Sequence, residues 1–182
     1  MTEVEIKADT NELQKFQMDM IRAIGYKGKF AEGNFMDVAK KFKTDDIKHE
    51  HEQEIYKQGN PVFFLKNFPQ SSFPFWNMSR NKDGTSKKID VIMAGMETIG
   101  SSERSCDVDE MRYQFKTIVN GEYAAALYKM FGEKAVIEEL DEFLSHKFFV
   151  RSGFGCGMTR LMNFCEQEKL YPKEIEDLSR PD

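Results

Sequence analysis

In Gly153-Phe154-Gly155-Cys156-Gly157, small and larger residues alternate and lead directly into Met158-Thr159-Arg160. Along an extended chain, glycines at every second position leave one face without Cβ atoms, so a flat group can lie against the backbone. A helix beginning just beyond would aim its free N–H groups and positive dipole at the same place, which suits phosphate. Arg160, in the first turn of that helix, could fork onto a phosphate oxygen. The same pattern also serves a tight strand-to-helix junction in which glycines only permit packing. The motif alone does not choose between the two.

A second group of residues narrows the choice. In Ile89-Asp90-Val91-Ile92, Asp90 shares a strand face with Ile92 and Ala94, and a bend at Gly95 can bring Glu97 near it. Two carboxylates on neighbouring sheet positions suit Mg²⁺ that also carries phosphate ligands. Arg104 follows Glu97 by seven residues, a spacing that puts the two on opposite faces of a regular strand. Gly100, Ser101 and Ser102 allow a bend that would return both to one pocket. There Arg104 could clamp a carboxylate or an amide. An exposed hairpin with ordinary surface charges is the competing reading.

Other reactive side chains read as structural. His49 and His51 stand among Glu50, Glu52 and Glu54, but positions two apart diverge on a helix, so a solvated face is expected. His146 lies near a helix end, where its charge is favoured. Cys156 has no histidine placed to activate it and is expected to pack. Phe63, Phe64, Phe68, Phe73, Phe75 and Trp76 could stack a base, but core and lid packing accounts for them more simply.

These residues need a scaffold. The chain has 182 residues, 40% of them hydrophobic and 13% aromatic, enough for one domain with a real core. A net charge of −5 argues against a broad nucleic-acid-binding surface. Three cysteines without a CxxC pair fit a reducing compartment, hence a cytoplasmic location. No run reaches the roughly 18 apolar residues that a bilayer demands, so neither a membrane nor DNA is expected as partner. Alternation predicts a strand over Met1–Ala8, and Asp9-Thr10-Asn11 caps a helix carrying Leu13, Phe16, Met20 and Ile24 that Gly25 closes. Shorter helices are expected over Asn34–Phe42 and, on the surface, over Thr44–Gln58. A strand follows at Val62–Lys66, then an irregular aromatic stretch from Phe68 to Trp76. The Asn81–Ser86 turn, with Asp83-Gly84 at its tip, predicts a hairpin joining Trp76–Met78 to Lys88–Met93. A further strand is expected at Met96–Ser101, helices at Asp107–Val119 and Gly132–Leu144, a strand at Phe148–Gly153, and a helix at Met158–Lys169. The charged tail after Pro172 is expected to fray.

Taken in order, Glu-Xaa-Glu-Ile, Pro-Val-Phe-Phe, Phe-Pro, Phe-Trp, Asp-Val-Ile, Gly-Met-Glu, Gly-Xaa-Xaa-Xaa-Arg and GFGCGMTRL resemble the class II aminoacyl-tRNA synthetases. The match is closest to the aspartyl/asparaginyl branch and its asparagine-synthetase-like paralogues, and it runs from Met1 to about Phe164. The segment ending in Arg160 is similar to motif 3 of that family. The resemblance implies an α/β (α+β) fold, an antiparallel mixed sheet flanked by helices. It also implies that Arg160 holds the γ-phosphate of a bent ATP over Gly155 and Gly157. Glu97 would bind Mg²⁺ with Asp90, and Arg104 would recognise the side chain of aspartate or asparagine. Glu3 resembles the acid near the end of motif 2 that contacts the amino acid, with Gly153 beside it. The lysyl branch carries an acid at the position of Arg104.

The implied activity is ATP-dependent activation of aspartate or asparagine as an adenylate, which tRNA then receives during protein biosynthesis. The alternatives are a free-standing aspartate–ammonia ligase and a non-catalytic binding module. Motif 1 and the start of motif 2 would lie ahead of Met1. Residues 1–182 are therefore expected to be a single domain, the C-terminal part of a catalytic domain, acting as a homodimer or with an N-terminal partner segment. Thr159 stands where the family has glutamate, Arg151-Ser152 where it has Pro-His, and Phe75-Trp76 where it has Phe-Tyr.

Overall fold

Asp9 fixes where the first helix begins. In the computed structural model, which describes residues 1–170, its carboxylate accepts from the N–H groups of Asn11 and Glu12 at 2.8 and 2.9 Å. Glu12 returns the favour to the Asp9 N–H at 3.1 Å. That reciprocal cap orients α1 (Thr10–Ala23) directly after β1 (Thr2–Ile6). There follow β2 (Ala31–Asn34), α2 (Phe35–Phe42), α3 (His49–Lys57) and β3 (Val62–Phe68). The second half carries β4 (Ser86–Met93), β5 (Met96–Glu103), α4 (Val108–Thr117), α5 (Glu122–Phe131), α6 (Glu133–Leu144), β6 (Ser152–Cys156) and α7 (Met158–Gln167).

The six strands form one sheet in the order β1-β6-β5-β4-β3-β2. Every neighbouring pair is antiparallel except β2 with β3. Alternation sorts the strand side chains onto two faces. On one face Val62, Phe64, Ile89, Val91, Ile99, Phe154 and Cys156 pack with Leu13 and Ile21 of α1 and Phe164 of α7. On the other, Phe35, Val38 and Ile55 of α2 and α3 cluster with Phe63, Leu65 and Ile92, α2 packing on β2 and β3 and α3 on the start of β5. The rest of that face lies open. A separate cluster of Met111, Phe115, Ala124, Leu140 and Leu144 holds α4, α5 and α6 together.

Several expectations are corrected. Trp76–Met78 is not a strand: the Asp83-Gly84 turn is present, but its upstream arm makes only isolated bridges, Arg80 with Ser86 and Met78 with Arg104. The last strand begins at Ser152, not Phe148, because Phe148 packs into the α4–α6 cluster instead. The acidic helix starts at His49, and β2 and α5 were not anticipated. The tail after Pro172 lies outside the described residues.

Gln17 breaks the apolar pattern of α1. It is fully buried, and neither its amide nitrogen nor its oxygen has a hydrogen-bond partner. An unsatisfied buried amide costs about 1–3 kcal/mol. Gln17→Met keeps the length and removes the polar atoms, so it should stabilise the fold by about 1–2 kcal/mol. Urea unfolding reads this as a higher midpoint at unchanged slope. An unchanged midpoint would mean that the amide is satisfied after all.

Candidate functional site

Directly paired residues of neighbouring strands project from the same side of a sheet. The registers therefore place Glu3, Gly155, Gly100, Asp90 and Leu65 in one row on the partly open face, across β1, β6, β5, β4 and β3. The adjoining row is Glu5, Gly153, Ser102 and Lys88. Where Gly100 faces Gly155 the floor carries no side chains. A cleft of about 530 Å³ opens above it, bordered by Glu97, Thr98, Gly157, Thr159 and Arg160. A more apolar cavity of about 510 Å³ lies between the α4–α6 helices, but Glu139 is the sole ionisable residue among its described lining residues.

Glu97 reaches this face by a route that the sequence hides. The β4–β5 register slips by one residue, so that Ile92 faces Glu97 while Val91 faces Ile99, leaving Thr98 as the extra residue. Such a bulge resets the alternation. The phase change thus occurs at Thr98, and Gly100 is an ordinary strand residue without the bend expected there. A Cβ on Gly100 would lie 3.1 Å from Glu97 Oε1 and 3.7 Å from Asp90 Oδ1, so both carboxylates converge on it. α3 pins the turn behind them. Glu52 Oε2 accepts the Glu97 N–H at 3.1 Å, and Gln53 Nε2 donates to the Gly95 carbonyl at 2.9 Å.

Asp90 is 5% exposed. Lys88 Nζ holds its Oδ2 at 2.6 Å, whereas Oδ1 has no partner. Burial pushes the carboxyl up to about 7; Lys88 opposes the shift, and Glu97 and Glu52 reinforce it. The orphaned oxygen and the carboxylate opposite it suit a hard cation. No group of three or more acidic, histidine or cysteine residues suited to a metal occurs among the described residues. A magnesium ion at this pair would therefore complete its shell with water and phosphate, as that ion prefers.

The two arginines stand apart. Arg160, in the first turn of α7, donates through Nη1 to the Glu97 carbonyl, and the neighbouring Gly157 N–H donates to the Thr98 carbonyl at 2.9 Å. Arg104 continues the alternation of Gly100 and Ser102, which places it about 13 Å of strand rise beyond Gly100. Its Nε and Nη2 both donate to Glu5 Oε1, at 3.1 and 2.9 Å, and its Nη1 donates to Ser102 Oγ at 2.8 Å. Glu97 and Arg104 thus share a face but mark its two ends.

The residues expected to form a site all lie on this face or at its rim: Glu3, Asp90, Glu97, Arg104, Gly153, Gly155, Gly157 and Arg160. Three participants were missed. Lys88 was legible, two residues ahead of Asp90 and so on the same face. Glu5 was visible in the Glu-Xaa-Glu alternation, but its pairing with Arg104 depends on the β1–β6–β5 register. The sequence places Glu52 on a solvated helix face, and only the packing of α3 on β5 reveals its contact with the Glu97 N–H. Cys156 packs as expected, its thiol pushed up by burial.

The family model for class II tRNA synthetases (D, K and N) matches residues 2–171. The Aspartate--tRNA(Asp) ligase of Pyrobaculum aerophilum is 34% identical over 73 residues, which cover 40% of this chain and 17% of that protein. Among solved structures, the asparaginyl-tRNA synthetase of Entamoeba histolytica in complex with asparaginyl-adenylate superposes with a TM-score of 0.67 at 17% identity. It covers 91% of this chain and 44% of that one. The aspartyl tRNA synthetase of the same organism gives 0.64 at 14% identity, covering 89% and 39%. The asparaginyl-tRNA synthetase of Pyrococcus horikoshii complexed with asparaginyl-adenylate gives 0.65 at 17% identity, covering 89% and 43%. The chain thus spans less than half the length of these relatives, and at such identities the superpositions establish the fold.

The two glycines of β6 should differ sharply under substitution. A Cβ at Gly153 would lie 2.4 Å from the Glu5 carboxyl and 2.7 Å from the Val4 carbonyl oxygen, so strand β1 itself must move. At Gly155 the nearest atom is the Met1 sulfur at 3.3 Å, on an exposed side chain that can swing away. Gly153→Ala should lose about 2–3 kcal/mol of stability and Gly155→Ala less than about 1 kcal/mol. Denaturant titrations of the two variants compare them directly.

Proposed function

We propose, for a chain that belongs to the class II tRNA synthetases of the D, K and N family, that the glycine-floored cleft activates aspartate or asparagine with ATP. The amino-acid carboxylate attacks the α-phosphate, an aminoacyl-adenylate forms, and pyrophosphate leaves. The observation that carries this reading is the shared row of Glu3, Gly155, Gly100 and Asp90 across the strands, with Glu97 and Arg160 to one side of it along β5 and Arg104 to the other. A nucleotide and a small amino acid, laid end to end, need that layout.

Each side chain then has a task. Gly100, Gly155 and Gly157 let the adenosine approach the backbone. Arg160, exposed at the rim and able to exchange its carbonyl contact for a stronger anionic one, takes the γ-phosphate. Asp90 and Glu97 would hold the magnesium ion, which when bound offsets charge on the phosphates. Arg104 reads the substrate side chain: a guanidinium attracts a carboxylate or accommodates an amide, and it repels an ammonium. This separates aspartate and asparagine from lysine. Glu3 and the Gly153 backbone border the amino-acid end. Fixing both substrates on a rigid sheet supplies most of the catalysis through positioning and electrostatics.

We read residues 1–182 as the C-terminal part of a catalytic domain, working in the cytoplasm as a homodimer or with an N-terminal segment. On this reading the adenylate passes to tRNA. Release of free asparagine when ammonia is supplied would instead assign an aspartate–ammonia ligase.

ATP–pyrophosphate exchange with aspartate and with asparagine tests activation. One of them should support exchange, and failure of both, even with an N-terminal partner chain supplied, would rule activation out. The two arginines should divide the labour. Arg104→Ala should weaken amino-acid binding by about 2–5 kcal/mol, the range for truncating one partner of a buried charge pair, with ATP affinity unchanged. Arg160→Ala should do the reverse. Calorimetric titration of both ligands against both variants decides: equal losses everywhere would mean a general collapse of the pocket.

A further inference from the structure

Lys88 sits where the fold gathers negative charge. A side pocket of about 160 Å³ shares Glu97 with the main cleft, and Asp46, Glu52 and Asp90 also line it. Lys88 is the one basic residue among its described lining residues. Two attractions fix the ammonium there: Asp90 Oδ2 at 2.6 Å, and the ring of Phe68, whose centroid lies 4.0 Å away. Yet the ammonium satisfies only half of Asp90. Oδ1 remains buried without a partner, and the Glu97 carboxylate converges on it at Gly100. The pair therefore has a cation already, bound through one oxygen, and leaves unpaired the oxygen that a second cation would use.

We infer that Lys88 is a tethered cation that competes with a divalent metal ion for Asp90. It balances the Asp90–Glu97 pair while nucleotide is absent and weakens metal binding until phosphate oxygens add ligands of their own. This inference rests on the reading of Asp90 and Glu97 as the cation-holding pair. A dication arriving on Oδ1 meets an ammonium held by the other oxygen of the same carboxylate, and like charges at that separation repel. The metal must displace Lys88 or bind weakly beside it. Nucleotide phosphates change the balance, because they offer the metal oxygens that Lys88 does not contest. Metal and nucleotide would accordingly bind cooperatively, each poorly alone.

Manganese(II) is the probe, titrated into the full chain without ATP or amino acid and followed by the loss of the free-ion electron paramagnetic resonance signal. Lys88→Met keeps the stem over Phe68 and removes the charge. It should bind Mn²⁺ at least tenfold more tightly than the unmodified chain, and adding Asp90→Asn should abolish the gain. Equal affinity in the two chains overturns the inference, as does a gain that survives the loss of Asp90 or a failure of both chains to bind. If Lys88→Met does not fold, the unmodified chain still answers. Saturating Mn²⁺ should raise acylation of the Lys88 amine several-fold, read by mass spectrometry, and unchanged or reduced labelling overturns the inference. None of these readings requires catalysis, so failure of pyrophosphate exchange would count against the proposed function and not against Lys88.

Discussion

Where Gly100 meets Gly155 across β5 and β6, nothing rises from the sheet, and the remainder of the site is arranged around that gap. The gap requires a register held to the residue. A slip of one position would bring Ser101 or Phe154 to the cleft face and turn the floor into the core side. The register is held from behind: Phe154, Cys156 and Ile99 are buried against α1 and α7, and Ser101 Oγ donates to the Ile89 carbonyl at 2.7 Å. Hydrophobic burial on one face thereby positions bare backbone on the other.

Charge follows the same division. The face packed against α1 ties up its buried acid completely: Glu103 accepts from Lys87 at 2.6 Å and from the Thr10 hydroxyl and N–H at 2.8 and 3.0 Å. On the cleft face, Asp90 is left with one oxygen unpaired and a carboxyl pushed up to about 7 by burial. Of these two buried carboxylates the fold satisfies one fully and the other by half.

Much of this was legible in the sequence. The Asp9 cap, the alternation in β1, the Asp83-Gly84 turn ahead of β4, and the step from Gly157 into α7 are local signals, and each led to the element expected after it. The misses share a cause in long-range pairing. β2, Ala31-Glu32-Gly33-Asn34, has no strand pattern of its own and exists because it lies parallel to β3. The Phe148–Val150 run looks like a strand, yet the α4–α6 cluster claims Phe148 and leaves Phe149 and Val150 exposed. The Thr98 bulge was hidden for the same reason. Residue spacing from Glu97 to Arg104 put them on opposite faces, and a one-residue slip against β4 undid that parity. Residue types identified the site, whereas its assembly depended on strand partners that no local window contains.

Nucleotide bound as proposed would lie on the glycine floor of the sheet. Backbone amide NMR of the uniformly ¹⁵N-labelled chain, titrated with ATP, tests it residue by residue. Saturable shifts are expected at residues 97–100 and 153–160 and, more weakly, around Asp90, with α4, α5 and α6 undisturbed. Shifts centred instead on the apolar cavity around Trp76 and Phe143, or saturable binding that leaves Gly100 and Gly155 unmoved, would contradict it.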